Sequence, residues 1–562
     1  MARRKRDSKG RLGLFAGAAV AALLAFPAMA SATVTSSVNA QGVLTVTSNA
    51  GDAITITDDA GALKINGQNP GSGAATSASI TAIQVTGDAG ANNINLADVN
   101  GTDFTALTSV NVDGAGGNDT INGSQLADVL EGGGANDRII GDNNPAGTDD
   151  DMRGEAGNDT MVWNPGDGDD INEGGAGSDT SEVNGGGKEQ FEVNPSATAG
   201  RVSFDRVQPN NDPTFGAPFN VDISDDTEKL DLNAGGGDDI INAGNGLQAL
   251  AFALDIDGGD LNDVIDGGDG ADLIDGAAGD DQIAADNNPL GTRDNARGGA
   301  GNDTMTWNPG DGDDVNEGGD DNDTVVVNGG SVDEDFRVTP SSTPGRVSFD
   351  RTGPTPPGPF NIDIGSSENL VLNAGDGKDT IRGSKGLAGL IDSTFNGDAG
   401  RDRIKGTDGE DLLQGGAGGD VIRSRDRAAD QVECDNGFDL AFVDRRDTVR
   451  ACEIVLGGKL KVKASAKSVN VAGGVAAVKL QCVATKRCNG LVKLRKGGKT
   501  LAGAKFKMGK KKSKTVRLKL NKRGLRLLAK APNKGLKVQL RIDAKDAAKN
   551  GWRTDSGLRL KP

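Results

Sequence analysis

Apolar and polar residues alternate along much of this 562-residue chain, and the alternation predicts strands rather than helices. Before residue 110 the short stretches GVLTVTS, AITITDD and ALKING are separated by Gly, Asn and Asp. Alternation with a period of two is typical of half-buried β-strands, and these separating residues are typical of turns. This first part of the chain is therefore predicted to be rich in strands.

A second pattern has a period of nine residues. The segment GGDLNDVIDGGDGADLIDGAAGDDQ covers residues 258–282 and places Asp263, Asp272 and Asp281 nine residues apart. Each aspartate lies five residues after a glycine and two before an isoleucine, such as Ile265 or Ile274. A fixed short period indicates a solenoid, in which each glycine-rich turn leads into a short strand. The isoleucines are predicted to form a narrow core.

The same nine-residue spacing occurs in two further segments. One places Asp119, Asp128 and Asp137 nine residues apart, and the other does so with Asp402, Asp411 and Asp420. Asp430 and Asp439 extend the last segment after a slip of one residue. Nine units in three phased cassettes disfavour the alternative of plain solvated turns.

A longer duplication lies between the cassettes. Residues 142–175 recur in closely similar form as 286–319, and both copies contain WNPGDGDD, with Trp163 and Trp307. Each copy is followed by GRVSFDR and by alternating apolar positions that predict strands. We interpret the two tryptophans as plugs at a bend, with a sugar-binding platform as the alternative.

The phased aspartates also predict a cation. Strands in a sheet lie about 4.8 Å apart, so one carboxylate per stacked turn would produce strong repulsion without a cation between the turns. Carboxylates and backbone carbonyls offer only oxygen, and no His or Cys lies nearby. Such ligands favour calcium over magnesium, because calcium accepts six to eight oxygens at flexible distances.

These units resemble the GGxGxDxUx nonapeptide of the RTX calcium-binding proteins. The resemblance implies a parallel β-roll in which two nonapeptides form one turn, so Asp263 stacks near Asp281, Asp119 near Asp137 and Asp402 near Asp420. The middle aspartate of each cassette then faces the opposite edge. Calcium would lie between successive turns, held by glycine-loop carbonyls and by Asp119, Asp128, Asp137, Asp159, Asp179, Asp239, Asp263, Asp272, Asp281, Asp303, Asp323, Asp379, Asp402, Asp411 and Asp420.

Three turns depart from the glycine pattern of the family. Ser124, Gln125 and Leu126 replace glycines before Asp128, Ala135 does so before Asp137, and Thr407 does so before Asp411. These turns are expected to bind calcium weakly or not at all.

The composition limits the kinds of catalytic and metal sites that the chain can form. The chain has 86 glycines, 3% aromatic residues and no His or Tyr. A lack of histidine excludes Ser-His-Asp and Cys-His catalysis and His-ligated zinc. We expect a protein that is not an enzyme.

The N-terminus predicts export. A basic start, an apolar run from Leu14 to Phe26 and the sequence Ala28-Met29-Ala30 are typical of a secretory signal peptide. The apolar run is too short to span a membrane. The predicted location is therefore secreted or extracellular, including the cell surface. The predicted domains are a signal peptide (1–30), a β-rich solenoid start (31–113), RTX-like repeats with duplicated inserts and a disulfide cap (114–458) and a basic β-sandwich (459–562).

Four cysteines suit an oxidising compartment. The simplest pairing joins Cys434 to Cys452 and Cys482 to Cys488, although three pairings are possible. Cys434 and Cys452 are eighteen residues apart, as are adjacent turns of the predicted roll. A bridge between them would close the end of the solenoid.

The net charge of −20 conceals two opposite halves. Residues 31–458 carry 77 acidic against 24 basic residues, whereas residues 459–562 carry 31 basic residues and three aspartates. The basic part alternates apolar and cationic positions, which predicts a small β-sandwich, with a short helix from Leu525 to Ala531. Its lysines form either a merely solvated face or an attachment site for an anionic cell-wall polymer or polysaccharide. No nucleic-acid partner is expected, because no aromatic stacking platform accompanies the charge.

The fold predicted from these patterns is all-β, a parallel β-roll or β-helix solenoid followed by the basic β-sandwich. The predicted function is a secreted calcium-binding repeat protein with a structural or adhesive role, which folds on calcium outside the cell. A polysaccharide-active lyase or hydrolase on a solenoid scaffold is the alternative, and unliganded carboxylate pairs in a groove would favour it. An ice-binding or adhesin surface is a third possibility, although Thr-x-Thr ladders are scarce.

Overall fold

The computed structural model of the chain is built almost entirely from β-strands, as the alternation predicts. The predicted signal peptide lies outside the residues that the structure describes. The described residues are 33–72, 74–143, 149–209, 212, 214–250, 252–286, 292–353, 358–457, 462–483, 488–509, 511–531, 534–545 and 551–562.

Most strands stack into two long sheets that form the two faces of a solenoid, and we call them sheet one and sheet two. Successive strands of a sheet come from successive turns and pair in parallel, so the predicted parallel solenoid is confirmed. Sheet one contains Val43–Thr47, Ala82–Asp88, Ser109–Ala115, Asp128–Gly134, Asp149–Ala156, Asp169–Ala176, Phe219–Ser224, Arg201–Arg206, Gln190–Pro195, Ile240–Ala243, Val264–Asp266, Gln282–Ala284, Thr304–Trp307, Thr324–Asn328, Asn369–Asn373, Asp392–Asn396, Asp411–Gln414, Gln431–Glu433 and Thr448–Arg450. Sheet two contains Ala53–Asp59, Asn93–Asn95, Thr120–Asn122, Arg138–Ile140, Thr160–Trp163, Thr180–Asn184, Lys229–Asn233, Ala253–Asp257, Leu273–Ala278, Arg293–Ala300, Asp313–Asp320, Phe360–Gly365, Val347–Arg351, Asp335–Pro340, Thr380–Gly383, Arg403–Lys405, Val421–Arg423, Leu440–Val443 and Ile454–Gly457.

Short elements complete the solenoid. Thr35–Val38 pairs antiparallel with the first strand of sheet one, and Ala62–Ile65 pairs antiparallel with the first strand of sheet two. Two 3-10 turns, Ser77–Ser79 and Leu247–Leu250, lie in the connections. The last cassette adds four two-residue strands that pair in parallel, Asp376–Gly377, Ala399–Gly400, Ala417–Gly418 and Asn436–Gly437.

The nine-residue unit gives this stacking because its strand is too short to turn more than one side chain inward. Ile265 and Ile274 are buried on opposite sheets, and Ile265 is in register with Ile283, eighteen residues later. The predicted eighteen-residue turn is therefore confirmed inside the cassettes. In the duplicated segments the turns are longer, since Ile283 is in register with Met305. A parallel ladder requires matched strands and leaves the length of the connecting loop free.

Each duplicated segment is followed by a three-stranded antiparallel insert. In the first copy the insert (190–224) continues sheet one, and in the second copy the insert (335–365) continues sheet two. GRVSFDR provides the middle strand of each insert, with Arg206 and Arg351 at its end.

The two tryptophans are plugs, as we favoured, because both are buried in the solenoid core. Trp163 stacks on Phe219 with ring centroids 3.7 Å apart, and Trp307 stacks on Phe360 at 3.8 Å. Each indole Nε1 donates to a backbone carbonyl five residues later in the chain. Neither ring is available as a platform for a sugar.

The basic C-terminal part surrounds a buried apolar cluster of its own. Its strands are Val462–Ala464, Ser468–Ala472, Val475–Cys482, Cys488–Lys496, Lys499–Met508, Ser513–Lys519, Leu536–Lys545 and Gly551–Lys561. Most of them pair antiparallel, while the final strand also pairs in parallel with Ile454–Gly457 and so joins sheet two. The sandwich itself and the domain boundaries remain predictions.

The helix of this part runs over Lys522–Ala529, close to the predicted position. Asn521 caps it by accepting the backbone N–H of Gly524. Within the described residues, no helix is long and apolar enough to cross a membrane.

Both predicted disulfides are present. Cys434 is bonded to Cys452 with their Cα atoms 5.0 Å apart, and Cys482 is bonded to Cys488 with a Cα separation of 5.8 Å. The first bridge joins adjacent turns at the end of the solenoid, as the spacing of eighteen residues suggested.

We expect the first bridge to stabilise the fold more than the second. In the chain-entropy treatment, closing eighteen residues contributes about 3 kcal/mol and closing six residues about 2 kcal/mol. The pair Cys434→Ser with Cys452→Ser should therefore lower the free energy of unfolding more than Cys482→Ser with Cys488→Ser. Urea denaturation in saturating calcium measures both losses. Equal losses in the two double variants, or a larger loss for the variant without Cys482 and Cys488, would contradict the closure of the solenoid end by Cys434 and Cys452.

Candidate metal centre

The predicted aspartates all lie where a glycine-rich turn enters a strand, and all fifteen side chains are at most 3% exposed. This position follows from the sequence, because the residue two positions later, which is apolar in every case except Ser181, points into the core. Burying charged groups without a partner is costly, so a row of buried carboxylates requires a physical explanation.

Hydrogen bonds between turns arrange these aspartates in rows. The backbone N–H of Asp263 donates to Oδ1 of Asp281, 2.8 Å away on the next turn. Asp119 donates in the same way to Asp137 at 2.7 Å, and Asp402 donates to Asp420 at 2.9 Å. The three stacked pairs that the sequence predicted are thus brought together.

The middle aspartate of each cassette lies on the opposite edge, also as predicted. The N–H of Asp272 donates to Oδ1 of Asp294, and that of Asp128 donates to Oδ1 of Asp150. Asp411 donates to Asp430 at 3.1 Å. Each edge of the solenoid therefore carries its own rows.

Three long rows can be followed through these bonds, and each ends on a glutamate. The first runs through Asn92, Asp119, Asp137, Asp159, Asp179 and Glu228. The second runs through Glu189, Asp239, Asp263, Asp281, Asp303, Asp323 and Glu368. The third runs through Glu334, Asp379, Asp402, Asp420, Asp439 and Glu453.

The second carboxylate oxygen of these aspartates has no hydrogen-bond donor within the described part of the chain. A buried unsatisfied oxygen normally costs about 1–3 kcal/mol, more when charged, so its repetition indicates a missing partner. The orphaned Oδ2 atoms belong to Asp119, Asp137, Asp159, Asp170, Asp179, Asp239, Asp263, Asp272, Asp281, Asp303, Asp323, Asp379, Asp402, Asp420, Asp430 and Asp439.

Glycine keeps a place open beside each orphaned oxygen. A Cβ added to Gly276 would lie 2.4 Å from Oδ2 of Asp281 and 2.7 Å from the carbonyl oxygen of Gly298 on the next turn. A Cβ added to Gly114 or Gly258 would likewise lie close to Oδ2 of the row aspartate of the same turn and to a glycine carbonyl oxygen of the next turn. An anionic oxygen and a carbonyl oxygen thus converge where a side chain is excluded, and such a donor set fits a hard cation.

Two of the atypical turns differ in structure as well as in sequence. Ser124 Oγ donates to Oδ1 of Asp128 at 2.7 Å, and Thr407 Oγ1 donates to Oδ1 of Asp411 at 2.7 Å. The backbone N–H groups of Ser124 and Thr407 donate to Oδ2 of the same aspartates, so the oxygen that is orphaned in the other turns has a partner here. In the third atypical turn Ala135 adopts φ +87°, a conformation that favours glycine. Weaker calcium binding at these turns remains a prediction.

The second and third rows begin with a glutamate that carries its own cation. Glu189 forms an ion pair with Arg206, and Glu334 pairs with Arg351 at 2.6 Å between Oε1 and Nη2. All four side chains are buried, and the Arg206 guanidinium lies 4.7 Å from the centroid of the Phe219 ring. A fixed guanidinium therefore balances the first carboxylate of each of these two rows.

The sequence reasoning missed several members of the rows. Asp150, Asp170, Asp294 and Asp314 are buried on the edges but lie in the duplicated segments, where turns of 20 or 22 residues break the spacing of nine. The paired aspartates in DDDMRG and DGDDINEGG were the available signal. The glutamates gave no signal, since the repeat specifies aspartate.

Burial raises the pKa of the row aspartates when no metal is bound. Burial, followed by the neighbouring carboxylates of Asp239 and Asp281, raises the pKa of Asp263 to about 8. Burial also raises the pKa of Asp281 and of Asp239 to about 7 each, and further nearby carboxylates act in the same direction. Without a cation these groups hold protons near neutral pH.

We therefore expect opposite effects of pH with and without calcium. The folded-state pKa values near 7–8 exceed the ordinary value of 3.8, so the folded metal-free protein binds more protons than the unfolded chain. Its stability should rise as the pH falls from 8 to 5.5, whereas protons compete with calcium and reverse the trend when the ion is saturating. Thermal unfolding of metal-stripped and calcium-loaded protein across this range measures both trends. Metal-free protein that is more stable at pH 8 would contradict the prediction.

Comparison with known proteins gives one family. The model described as the RTX calcium-binding nonapeptide repeat matches residues 113–144, 256–288, 291–306, 365–386 and 392–424. The matches contain all three predicted cassettes and also Asp303 and Asp379, while Asp159, Asp179, Asp239 and Asp323 lie outside them. No curated protein matches the chain. The glycine-rich turns thus carry a calcium-binding repeat, which agrees with the oxygen ligands of the rows.

Proposed function

We propose that this chain, whose glycine-rich turns are RTX calcium-binding nonapeptide repeats, is a secreted protein that folds on calcium outside the cell and serves a structural or adhesive role. The observation that carries the proposal is the row of buried carboxylates with one orphaned oxygen per turn. The ion would be held by Oδ2 of each row aspartate and by glycine carbonyls of the adjacent turn. Thirteen of the fifteen predicted aspartates are proposed ligands on this basis. Asp128 and Asp411 are also proposed, as the weakest ligands of the glycine turns, because both of their carboxylate oxygens already accept hydrogen bonds from Ser124 and Thr407.

Several features support an extracellular, structural role. The predicted signal peptide directs export, and two disulfides suit an oxidising compartment. Extracellular calcium modules commonly have dissociation constants on the order of 0.1–1 mM, so calcium outside the cell would fill such sites after export. The phased acids are already used by the rows, and this favours a structural role over catalysis.

The glycine cradle allows a test that leaves charge unchanged. Gly276→Ala would place a methyl group between Oδ2 of Asp281 and the carbonyl of Gly298. Calcium titration calorimetry should show fewer bound ions than in the parent protein. Gly236→Ala is the control, because its Cβ would meet no heavy atom closer than 3.9 Å. Equal calcium binding by the Gly276→Ala variant and the parent would refute this ligand assignment.

For the basic C-terminal part we propose attachment to an anionic polymer. A cleft of about 650 Å³ lies between this part and the last turn of the solenoid. Lys505, Lys507, Lys514 and Arg553 line it, and Glu453 and Asp543 are the acidic residues of the lining. The cations outnumber the acids, and clustered cations attract polyanions such as acidic polysaccharide chains.

The attachment can be tested in the full-length protein with two variants of equal net charge. Replacing Lys505, Lys507 and Lys514 together by Gln should weaken retention on cell-wall polyanion and reduce its salt dependence. The same replacement at Lys522, Lys530 and Lys534, which are exposed but do not line the cleft, should have little effect. Equal retention of both variants would argue against the cleft.

A further inference from the structure

One turn near the end of the solenoid contains no glycine but several acids. The loop SRDRAAD (424–430) connects the strands Val421–Arg423 and Gln431–Glu433. It brings Asp426 close to two row aspartates, so that one carboxylate oxygen from each of Asp411, Asp426 and Asp430 lies within 4.8 Å of the others. Asp426 and Asp430 come from this loop, and Asp411 comes from the preceding turn of the solenoid.

Acids alone do not define a site, but this cluster also contains buried oxygens without partners. Asp430 is fully buried, and its Oδ2 accepts no hydrogen bond within the described residues. Oδ2 of the half-buried Asp426 and Oδ1 of the half-buried Asp447 nearby also lack a donor there. The opposite oxygens are used, since Asp426 Oδ1 accepts the N–H of Ala428 and Asp447 Oδ2 accepts Ser424 Oγ.

The arginines of this region do not neutralise the cluster. Within the described part of the chain, neither Asp411, Asp426, Asp430 nor Asp447 forms an ion pair with lysine or arginine. The Arg425 guanidinium instead donates to the carbonyl oxygens of Val443 and Leu456. Lys405 and Arg423 also line the cleft beside Asp426 without forming an ion pair with it. Four carboxylates therefore lie close together with no ion pair among the described residues, at distances where their repulsion is large.

We propose that Asp411, Asp426 and Asp430, with Asp447 beside them, bind an additional calcium ion at a carboxylate site that differs in kind from the glycine turns. Asp426, Asp430 and Asp447 lie beyond the residues that the repeat family matches, which end at 424. An all-oxygen set selects a hard cation, and flexible carboxylates favour calcium. Affinity for calcium rises with the number of charged ligands, so this site fills at lower calcium concentrations than the glycine turns.

The proposal is tested in the full-length protein by counting bound calcium at low, buffered free concentrations. Asp426→Asn should weaken the binding of the first calcium ion about tenfold or more. Even residues that only hydrogen-bond to metal ligands contribute 10–100-fold to metal affinity. The calcium bound at millimolar concentrations by the glycine turns should be unchanged. Undiminished early binding in this variant would overturn the proposal.

Asp444→Asn is the matched control. It removes the same charge from the same region, but both oxygens of Asp444 already accept backbone N–H groups, from Arg427 and Arg446. The Asp444→Asn variant should still bind the first calcium ion. If both variants lose that ion equally, the effect is one of general charge and the proposed site is overturned. If Asp426→Asn fails to fold, crystals of the unmodified protein with terbium in place of calcium test the site instead. Anomalous density beside Asp426 Oδ2 supports the site, and density only at the glycine turns refutes it.

Discussion

Removing calcium from the full-length protein above pH 8, where the row aspartates lose their protons, should unfold the solenoid and leave a chain that regains its β-structure when calcium is restored. Residues 31–458 carry 77 acids against 24 bases, and their narrow core is mostly aliphatic, with aromatic rings concentrated at the two inserts. Repulsion between buried carboxylates and the high backbone entropy of glycine then outweigh the apolar contacts. An ion that binds only the folded form stabilises it by mass action. Circular dichroism during calcium titration of metal-stripped protein measures the change.

Double mutants should show which aspartates share an ion. Asp263 and Asp281 are joined through the N–H of Asp263 and Oδ1 of Asp281, so Asp263→Ala and Asp281→Ala damage the same site. Their losses of calcium-dependent stability should be non-additive by about 0.5–3 kcal/mol, as for neighbours on one ligand. Asp272 donates instead to Asp294 and precedes a strand of sheet two, so Asp272→Ala should add to either loss.

Two outcomes would contradict this picture. Metal-stripped protein with full β-structure, unaffected by calcium, would exclude folding coupled to the ion. Coupling between Asp263 and Asp272 in place of Asp281 would mean that ions bridge the two edges of one turn rather than successive turns. The eighteen-residue repeat of the ion sites would then be wrong.

The second large effect is expected at a buried arginine. Arg351→Met should lower the free energy of unfolding by about 3–5 kcal/mol, because it leaves the buried Glu334 carboxylate without its partner. The loss should persist in saturating calcium, since the guanidinium balances this carboxylate. Urea denaturation in millimolar calcium measures it. Glu334→Gln in the same chain should recover part of the loss by removing the stranded charge.

A surface pair between the same insert and the neighbouring strand Thr380–Gly383 provides the control. Arg382 pairs with Asp335, but their side chains are 44% and 35% exposed. Arg382→Met should therefore cost less than about 1 kcal/mol, as exposed pairs do. If Arg351→Met costs as little as Arg382→Met, the guanidinium is not the structural cation of this row.

The spacing of the sequence determined the solenoid and most of its proposed ligands. A parallel ladder with two strands per turn repeats whatever lies eighteen residues apart, so the positions of Asp263, Asp281 and Ile265 fixed the register, the edge and the core. The bridge between Cys434 and Cys452 followed from the same spacing. Periodic sequence is informative here because each unit contacts only its neighbours.

The tertiary structure decided whatever departs from the period. The Arg206–Glu189 pair joins the end of one insert strand to the residue that precedes another, and Asp426 meets Asp411 through the glycine-free loop 424–430. The two copies of the duplication join different sheets, although their sequences are nearly the same. These contacts depend on how loops of unequal length close between turns. Parallel strand pairing is compatible with loops of different lengths, so no local pattern in the sequence predicts how these loops close.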